Sequence, residues 1–406
     1  MRMKPGRRAT VFLALGNAVS NGGVCIYFGF FVMYLKQHGY SEGWIGLVMM
    51  LCALANMVTQ PLIGYLTDTF LPNKQMLIIL ASASIPIGFF LPASISIPTV
   101  AAVSIILLSV VEQIYGPLFD VWTVRLNERH GGVDYGVTRG FGSIGYALAA
   151  MIAGKAFSAV GIQWMFVLHA AVMALLIVVV ALTENVECDN KKGKIEAQKP
   201  VSMKQALLML ARNKKYVLFF FSYLFIGIGM KFVGLFYPVL VAAKGGGEAH
   251  LGLGLSIMSL SEFPFMFLYS RYSRRFHVEK LMMFSLSMYV VRDAAMLFAP
   301  NLLVLELVQV TQGLSFGIFL PAFLFYMNYI TPRRITTTAI TVVGSAGGAM
   351  ASVAGTFLGG LMVERLGIYP SMICCTLLAV IGFVLFLISM RIKPEAQAEN
   401  PAVTRS

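Results

Sequence analysis

Phe119–Tyr146 reads FDVWTVRLNERHGGVDYGVTRGFGSIGY, a charged hairpin set between two long apolar stretches. Asp120 lies just before the hairpin and Arg139 just after it, each a few residues inside an apolar run. At about 1.5 Å rise per residue, helices on either side would carry the two groups to similar depths, roughly 6–8 Å from the same side. Charges at that depth are expensive in hydrocarbon, so opposite charges on adjacent antiparallel helices are most simply partners. Three roles are open to them: a substrate-site pair, a structural ion pair, or charges reaching for lipid headgroups.

The composition around that hairpin fixes the class. The chain has 406 residues, 58% hydrophobic and 12% charged, where a soluble domain carries about 25% charged residues. It is expected to be an all-α membrane protein. The net charge of +13 would suit nucleic acid, but the basic residues fall in alternate loops, the pattern of membrane topology. Arg2, Lys4, Arg7 and Arg8 precede an apolar run too long for a cleavable signal. Cys25, Cys52, Cys374 and Cys375 sit in apolar spans and Cys188 in a polar loop, so neither a disulfide nor a metal site is expected.

Spanning-length runs occur at about 9–35, 44–67, 75–95, 98–124, 136–159 and 162–183, then at about 215–243, 249–270, 279–299, 302–331, 335–363 and 367–390. Six and six make an N-terminal bundle over 1–183 and a C-terminal bundle over 215–391. A linker at 184–214 carries a short amphipathic helix over Val201–Arg212, and a tail follows at 392–406. Lys36, Lys155, Lys244 and Arg365 are the few basic residues on one side; the other side holds the rest, including Lys74, Arg125, Arg129, Lys280, Arg333 and the linker. Both termini are therefore expected in the cytoplasm.

Two six-span halves joined by a long loop resemble the major facilitator transporters, whose substrate site lies between the halves. Gln60–Lys74 (QPLIGYLTDTFLPNK) resembles their loop motif after span 2, keeping Gly64, Leu66, Asp68 and Lys74 but lacking the arginine after the aspartate and the second glycine. It implies a gating element: Gly64 would permit close helix approach, and Asp68 would cap a helix or pair with an arginine. Tyr135–Tyr146 (YGVTRGFGSIGY), with Asp120 before it, resembles the lactose-permease-like branch of oligosaccharide–proton symporters, with phenylpropionate and nucleoside permeases nearby. On that resemblance Asp120 and Arg139 bind sugar hydroxyls, and Tyr146 takes the place of the ring that stacks on the sugar. The chemistry agrees: a carboxylate accepts from vicinal hydroxyls, a guanidinium donates as a fork, and an aromatic ring covers the apolar sugar face. Tyr146 on its own could equally be packing.

The second half has charges of its own. Glu262 falls about 13 Å into span 8 and Arg292 about 18 Å into span 9, where an unpaired charge costs at least about 2.5–3.5 kcal/mol. The resemblance aligns them with a sugar-binding glutamate and a coupling arginine; each could instead be structural. Asp293 follows Arg292 and faces elsewhere. The branch's remaining pattern is altered: an asparagine one turn after the glutamate is Phe265, and the span-10 lysine, histidine and proton-carrying glutamate fall on Gln309, Gln312 and Ser315, which do not titrate near neutral pH. A proton carrier must then be another carboxylate, with Glu262, Asp293, Glu112 and Asp120 as candidates and Arg292, Asp293 and Gln312 as expected coupling partners of Glu262. Lys231 in span 7 either pairs with an acid or faces an anionic substrate. Glu306 reads as a solvated charge near the end of span 10. Asn17, Asn21 and Tyr27 could reach a cavity, and Pro238, Pro264 and Pro321 could kink their helices.

The reading is a secondary transporter, monomeric, multi-pass in the inner (plasma) membrane, that imports a sugar or glycoside with protons. Carriage of an aromatic carboxylate or nucleoside, or uniport, are the alternatives. His38, His130, His169, His250 and His277 are scattered, no phosphate-binding loop is present, and neither enzymatic activity, a cofactor nor nucleic-acid binding is expected; the proton gradient supplies the energy.

Overall fold

The computed structural model describes residues 5–185, 202–272 and 275–393, with side chains described outside 266–274. Among these residues every regular element is helical, as a bilayer demands of a chain that must satisfy its own backbone polar groups. Spans 1–6 are Pro5–Gln37, Glu42–Thr69, Asn73–Ser94, Pro98–His130, Tyr135–Val160 and Ile162–Leu182. Spans 7–12 are Lys214–Ala243, Glu248–Tyr272, Val278–Leu297, Leu302–Ile330, Arg333–Leu366 and Ile368–Met390. Ten of them are apolar enough to cross on length and composition alone; spans 8 and 9 carry Glu262, Arg292 and Asp293 and complete the two bundles of six.

Three spans are interrupted, at Gly29–Phe30 in span 1, Gln113–Ile114 in span 4 and Gln309–Val310 in span 10. In span 4 the cause is Pro117, which has no N–H to give to the carbonyl of Gln113 four residues earlier. By contrast, the helices run uninterrupted through Pro238, Pro264 and Pro321. Span 11 contains two π-helical turns, Val342–Gly347 and Val353–Leu358. A surface helix, Met203–Arg212, begins with a reciprocal Ser202–Gln205 cap and buries Ala206 and Leu210 against the second half. The rest of the expected linker (186–201), Cys188 and the tail beyond Lys393 lie outside the described residues.

The apolar core shows where the halves meet. One cluster draws on both halves, including Phe30, Phe31 and Phe157 from the first and Phe232, Phe236 and Leu251 from the second. Two further clusters each stay inside one half, nearer the side that carries the chain ends. On the opposite, far side the halves are latched. Gln37 donates to Glu248 (2.9 Å), and the Gly43 N–H at the start of span 2 donates to Glu364 of span 11 (2.9 Å). Spans 5 and 8 cross at Gly154 and Gly252, where a Cβ on either would come within 2.8 Å of the other's Cα. On the termini side, a Cβ on Gly64, Gly344 or Gly348 would meet nothing within 4 Å. The close approach expected at Gly64 is thus not made in this conformation, in which the halves separate and a cavity opens between them.

Candidate substrate cavity

Three connected chambers occupy the space between the halves. The largest, of 890 Å³, is walled by spans 1, 2 and 4 of the first half and spans 7 and 11 of the second. Its polar lining comprises Asn56, Gln60, Ser109, Gln113, Lys231 and Thr356 among others, and Asn56 donates to Ser109 (2.8 Å). A narrow chamber of 80 Å³ beyond Phe28 and Phe31 is bounded by Tyr146, Met258 and Arg292. A third, of 210 Å³, is lined by Asn21, Arg139, Ser143, Tyr146 and Glu262, with Met258 and Phe316 as apolar walls. Sequence-named residues from both halves, Arg139, Tyr146 and Glu262, therefore converge on one small polar pocket.

The expected Asp120–Arg139 partnership is not closed. Arg139 lies within electrostatic reach of both Asp120 and Glu262, but among the described residues it forms an ion pair with neither. Asp120 is half-buried beside Tyr135 and does not line the pocket. The reason is geometric: Arg139 sits on span 5, which crosses span 8, and its side chain lines the pocket between the halves together with Glu262.

Glu262 is held by a chain of hydrogen bonds across four spans. Its carboxylate accepts from Gln312 Nε2 (3.0 Å) and Ser143 Oγ (3.4 Å). Gln312 Oε1 in turn accepts from Arg292, which also donates to Gln309 Oε1 (2.9 Å) and contacts Met258 Sδ (3.6 Å). Gln309 and Gln312 lie on either side of the break in span 10. Arg292 is buried, at 4% exposure, with its Nε unpartnered, which removes it from any open cationic surface. Asp293, also buried, points towards Gly229 of span 7, where a Cβ would lie 2.9 Å from Oδ2.

Lys231 lines the large chamber, and among the described residues it forms no ion pair; the acidic partner that its burial suggested is not there. Glu306 is 3% exposed and bonded to His250 (2.7 Å), not solvated. Asn21 reaches the pocket, whereas Tyr27 turns towards Glu112 and His169. Of the loop residues, Asp68 pairs with an arginine, Arg125 (2.6 Å), which also donates to Asn73 (2.7 Å). Lys74 caps the end of span 6 through the carbonyls of Ala181 (2.6 Å) and Thr183 (2.9 Å).

Two features escaped the sequence. The chamber's amides Asn56, Gln60 and Gln113 are polar residues inside apolar runs, a signal present but unweighed. The other is His169, which is fully buried in span 6 with Nε2 2.5 Å from Glu112 Oε1.

A family model, the MFS_1 like family, matches residues 19–372. The uncharacterized transporter YwbF of Bacillus subtilis (strain 168) is 26% identical over 375 residues, covering 92% of this chain and 91% of that protein. The maltose permease of Geobacillus stearothermophilus is 26% identical over 365 residues, covering 88% and 89%. Among solved structures, a mutant of the nucleoside transporter NupG aligns at 17% identity with a TM-score of 0.79, over 94% of this chain and 99% of that one. A D-xylose-proton symporter aligns at 14% identity and 0.73, over 96% and 98%. At these identities the two structures speak for the fold.

Proposed function

The chain belongs to the MFS_1 like family and is a membrane transporter, and from that premise we propose that it imports a sugar, oligosaccharide or glycoside by proton symport. The observation that carries the sugar reading is the convergence of Arg139, Tyr146 and Glu262 from both halves on one pocket with Asn21 and Ser143. A guanidinium fork, a carboxylate and an aromatic ring are the groups that hold vicinal hydroxyls and cover a pyranose face. Asp120 positions Arg139 from behind and takes over as a hydroxyl acceptor when the halves move. A binding site shared by both halves is also what alternating access requires, since the substrate then draws together bundles that must rock. The maltose permease among the relatives supports the same substrate class.

On this reading the monomer lies in the inner (plasma) membrane with both termini cytoplasmic, the bundles 1–183 and 215–391 rock about the latched far side, and the cavity faces the cytoplasm. Glu262, with Arg292, Asp293 and Gln312, links substrate occupancy to the proton. Gly64, Asp68 and Lys74 form the cytoplasmic gate, which closes when Gly64 meets the second half. Lys231 favours a second reading, carriage of an aromatic carboxylate or a nucleoside: it is the charged group lining the large chamber, where an anionic substrate would be attracted.

Thermal unfolding of the purified protein against neutral sugars, glycosides, nucleosides and aromatic acids separates the two. A ligand at a hundred times its Kd adds about 2.7 kcal/mol. Stabilisation by neutral sugars that disappears in Arg139→Ala is the expected result. Stabilisation by carboxylates alone, lost in Lys231→Ala, would replace the sugar reading with the second one.

A further inference from the structure

Charge is unevenly shared among the three chambers. The small pocket holds both signs, Arg139 and Glu262. The narrow chamber touches Arg292, which donates to Gln309 and Gln312. The large chamber is bordered by Lys231 and by no carboxylate. Among the described residues, Lys231 makes neither an ion pair nor a side-chain hydrogen bond. Its root is packed against span 11, where a Cβ on Gly355 would lie 2.9 Å from Lys231 Cβ. An enclosed charge is costly without a counter-charge, so an anion entering this chamber finds an ammonium that no carboxylate of the chain has claimed.

Span 7 leads from this ammonium towards the sugar pocket. Gly234 and Leu235, three and four residues after Lys231, share its helical face, one turn or about 5 Å further along. Both border the large chamber and the narrow one. Tyr146 and Met258 in turn border the narrow chamber and the pocket. The passage is mostly apolar, with Phe28, Phe31, Val233 and Leu235 along it. From the pocket outwards, a ligand meets a charge-balanced polar site, an apolar neck and an unshared cation.

We propose that the transported substrate is an anionic glycoside. Its neutral sugar ring sits at Arg139, Tyr146 and Glu262, its apolar aglycone lies in the neck, and an acid group on the aglycone pairs with Lys231. The inference rests on the sugar reading and adds the class of aglycone to it. One molecule then engages both the pocket and the lysine, so the lysine is explained without giving up the sugar.

Calorimetric titration of the purified full chain at neutral pH tests it with matched probes. These are para-carboxyphenyl glucosides and galactosides in both anomers, each against its uncharged twin, the para-carbamoylphenyl glycoside. The acid without a sugar is para-hydroxybenzoate. The carboxylate of a pair should bind about tenfold or more tighter than its twin, the effect of one hydrogen bond between charged groups. Lys231→Gln should bring the two to within about threefold of each other, and Arg139→Ala should lose both. Equal affinities within a pair that binds overturn the inference and leave the sugar reading standing. A preference for the carboxylate that persists in Lys231→Gln overturns the assignment to Lys231. Binding of para-hydroxybenzoate as tight as that of the carboxylated glycoside overturns both readings, as does binding by none of the glycosides. If Lys231→Gln fails to fold, the comparison of twins in the wild type decides.

Discussion

Spans 4 and 10 hold equivalent places in the two halves and both are broken, after Glu112 and after Val308, yet the charges beside the breaks are treated in opposite ways. At span 10 the guanidinium of Arg292 is met by two amides, Gln309 and Gln312, and the second relays it to Glu262 at the edge of the substrate pocket. At span 4 a carboxylate and an imidazole have only each other, behind a wall. The first arrangement compensates a permanent charge through two amides that run on to a carboxylate; the second is an enclosed pair with no further hydrogen-bond partner among the described residues. The difference teaches that equivalent spans of the two halves bury charge in different ways, one in a network that reaches the cavity and one in an isolated pair.

The contrast breaks most readily at span 10. Replacing both amides, Gln309→Leu with Gln312→Leu, leaves a buried guanidinium with only the weak acceptor Met258 Sδ and should lower unfolding stability by about 3–5 kcal/mol. Thermal unfolding in detergent reads this, and an unchanged midpoint would mean that Arg292 hydrates itself. At span 4 the single change His169→Leu orphans the carboxyl and should destabilise by about 1–3 kcal/mol. The double change Glu112→Leu with His169→Leu should return to within about 1 kcal/mol of wild type, because a pair with no wider network can be replaced by apolar groups of similar size. A double variant as unstable as the single would show that the pair holds more than itself.

Smaller effects sharpen the picture at the latch. Glu364→Ala orphans the Gly43 N–H only while the far side is shut, so it should shift the open-to-shut ratio by about 1 kcal/mol, roughly fivefold. Spin-label distances between spans 2 and 11 would register that shift; an unchanged distribution would assign the latch to the glycine crossings. Smallest of all, Lys36→Ala removes an exposed partner of Glu42 (2.7 Å) within a single half and should change stability by less than about 0.5 kcal/mol.

Apolar run length was enough to read the twelve spans from the sequence, because hydrocarbon permits little else over twenty residues. Depth counting singled out Arg139 and Glu262, a charge that deep having to face a partner or a cavity, and both line the pocket between the halves. Partner identity was another matter. Asp120 and Arg139 are close in sequence but diverge at the half interface, whereas Glu112 and His169 are 57 residues apart and nothing local links them. A lone histidine in an apolar run looks the same in sequence whether it packs, ligates or titrates. The break in span 4 is legible in Pro117, whereas Pro238, Pro264 and Pro321 sit inside continuous helices.

One contact in the second half has a practical consequence. Lys215, at the first turn of span 7, is buried at 1% exposure and bonded at once to Glu279 of span 9 and to the carbonyl of Ile392 (2.9 Å), just past span 12. The beginning and end of that half are thus fastened by one ammonium, like a belt through its buckle. A cut before Ile392 would therefore loosen the start of span 7 as well as the end of span 12.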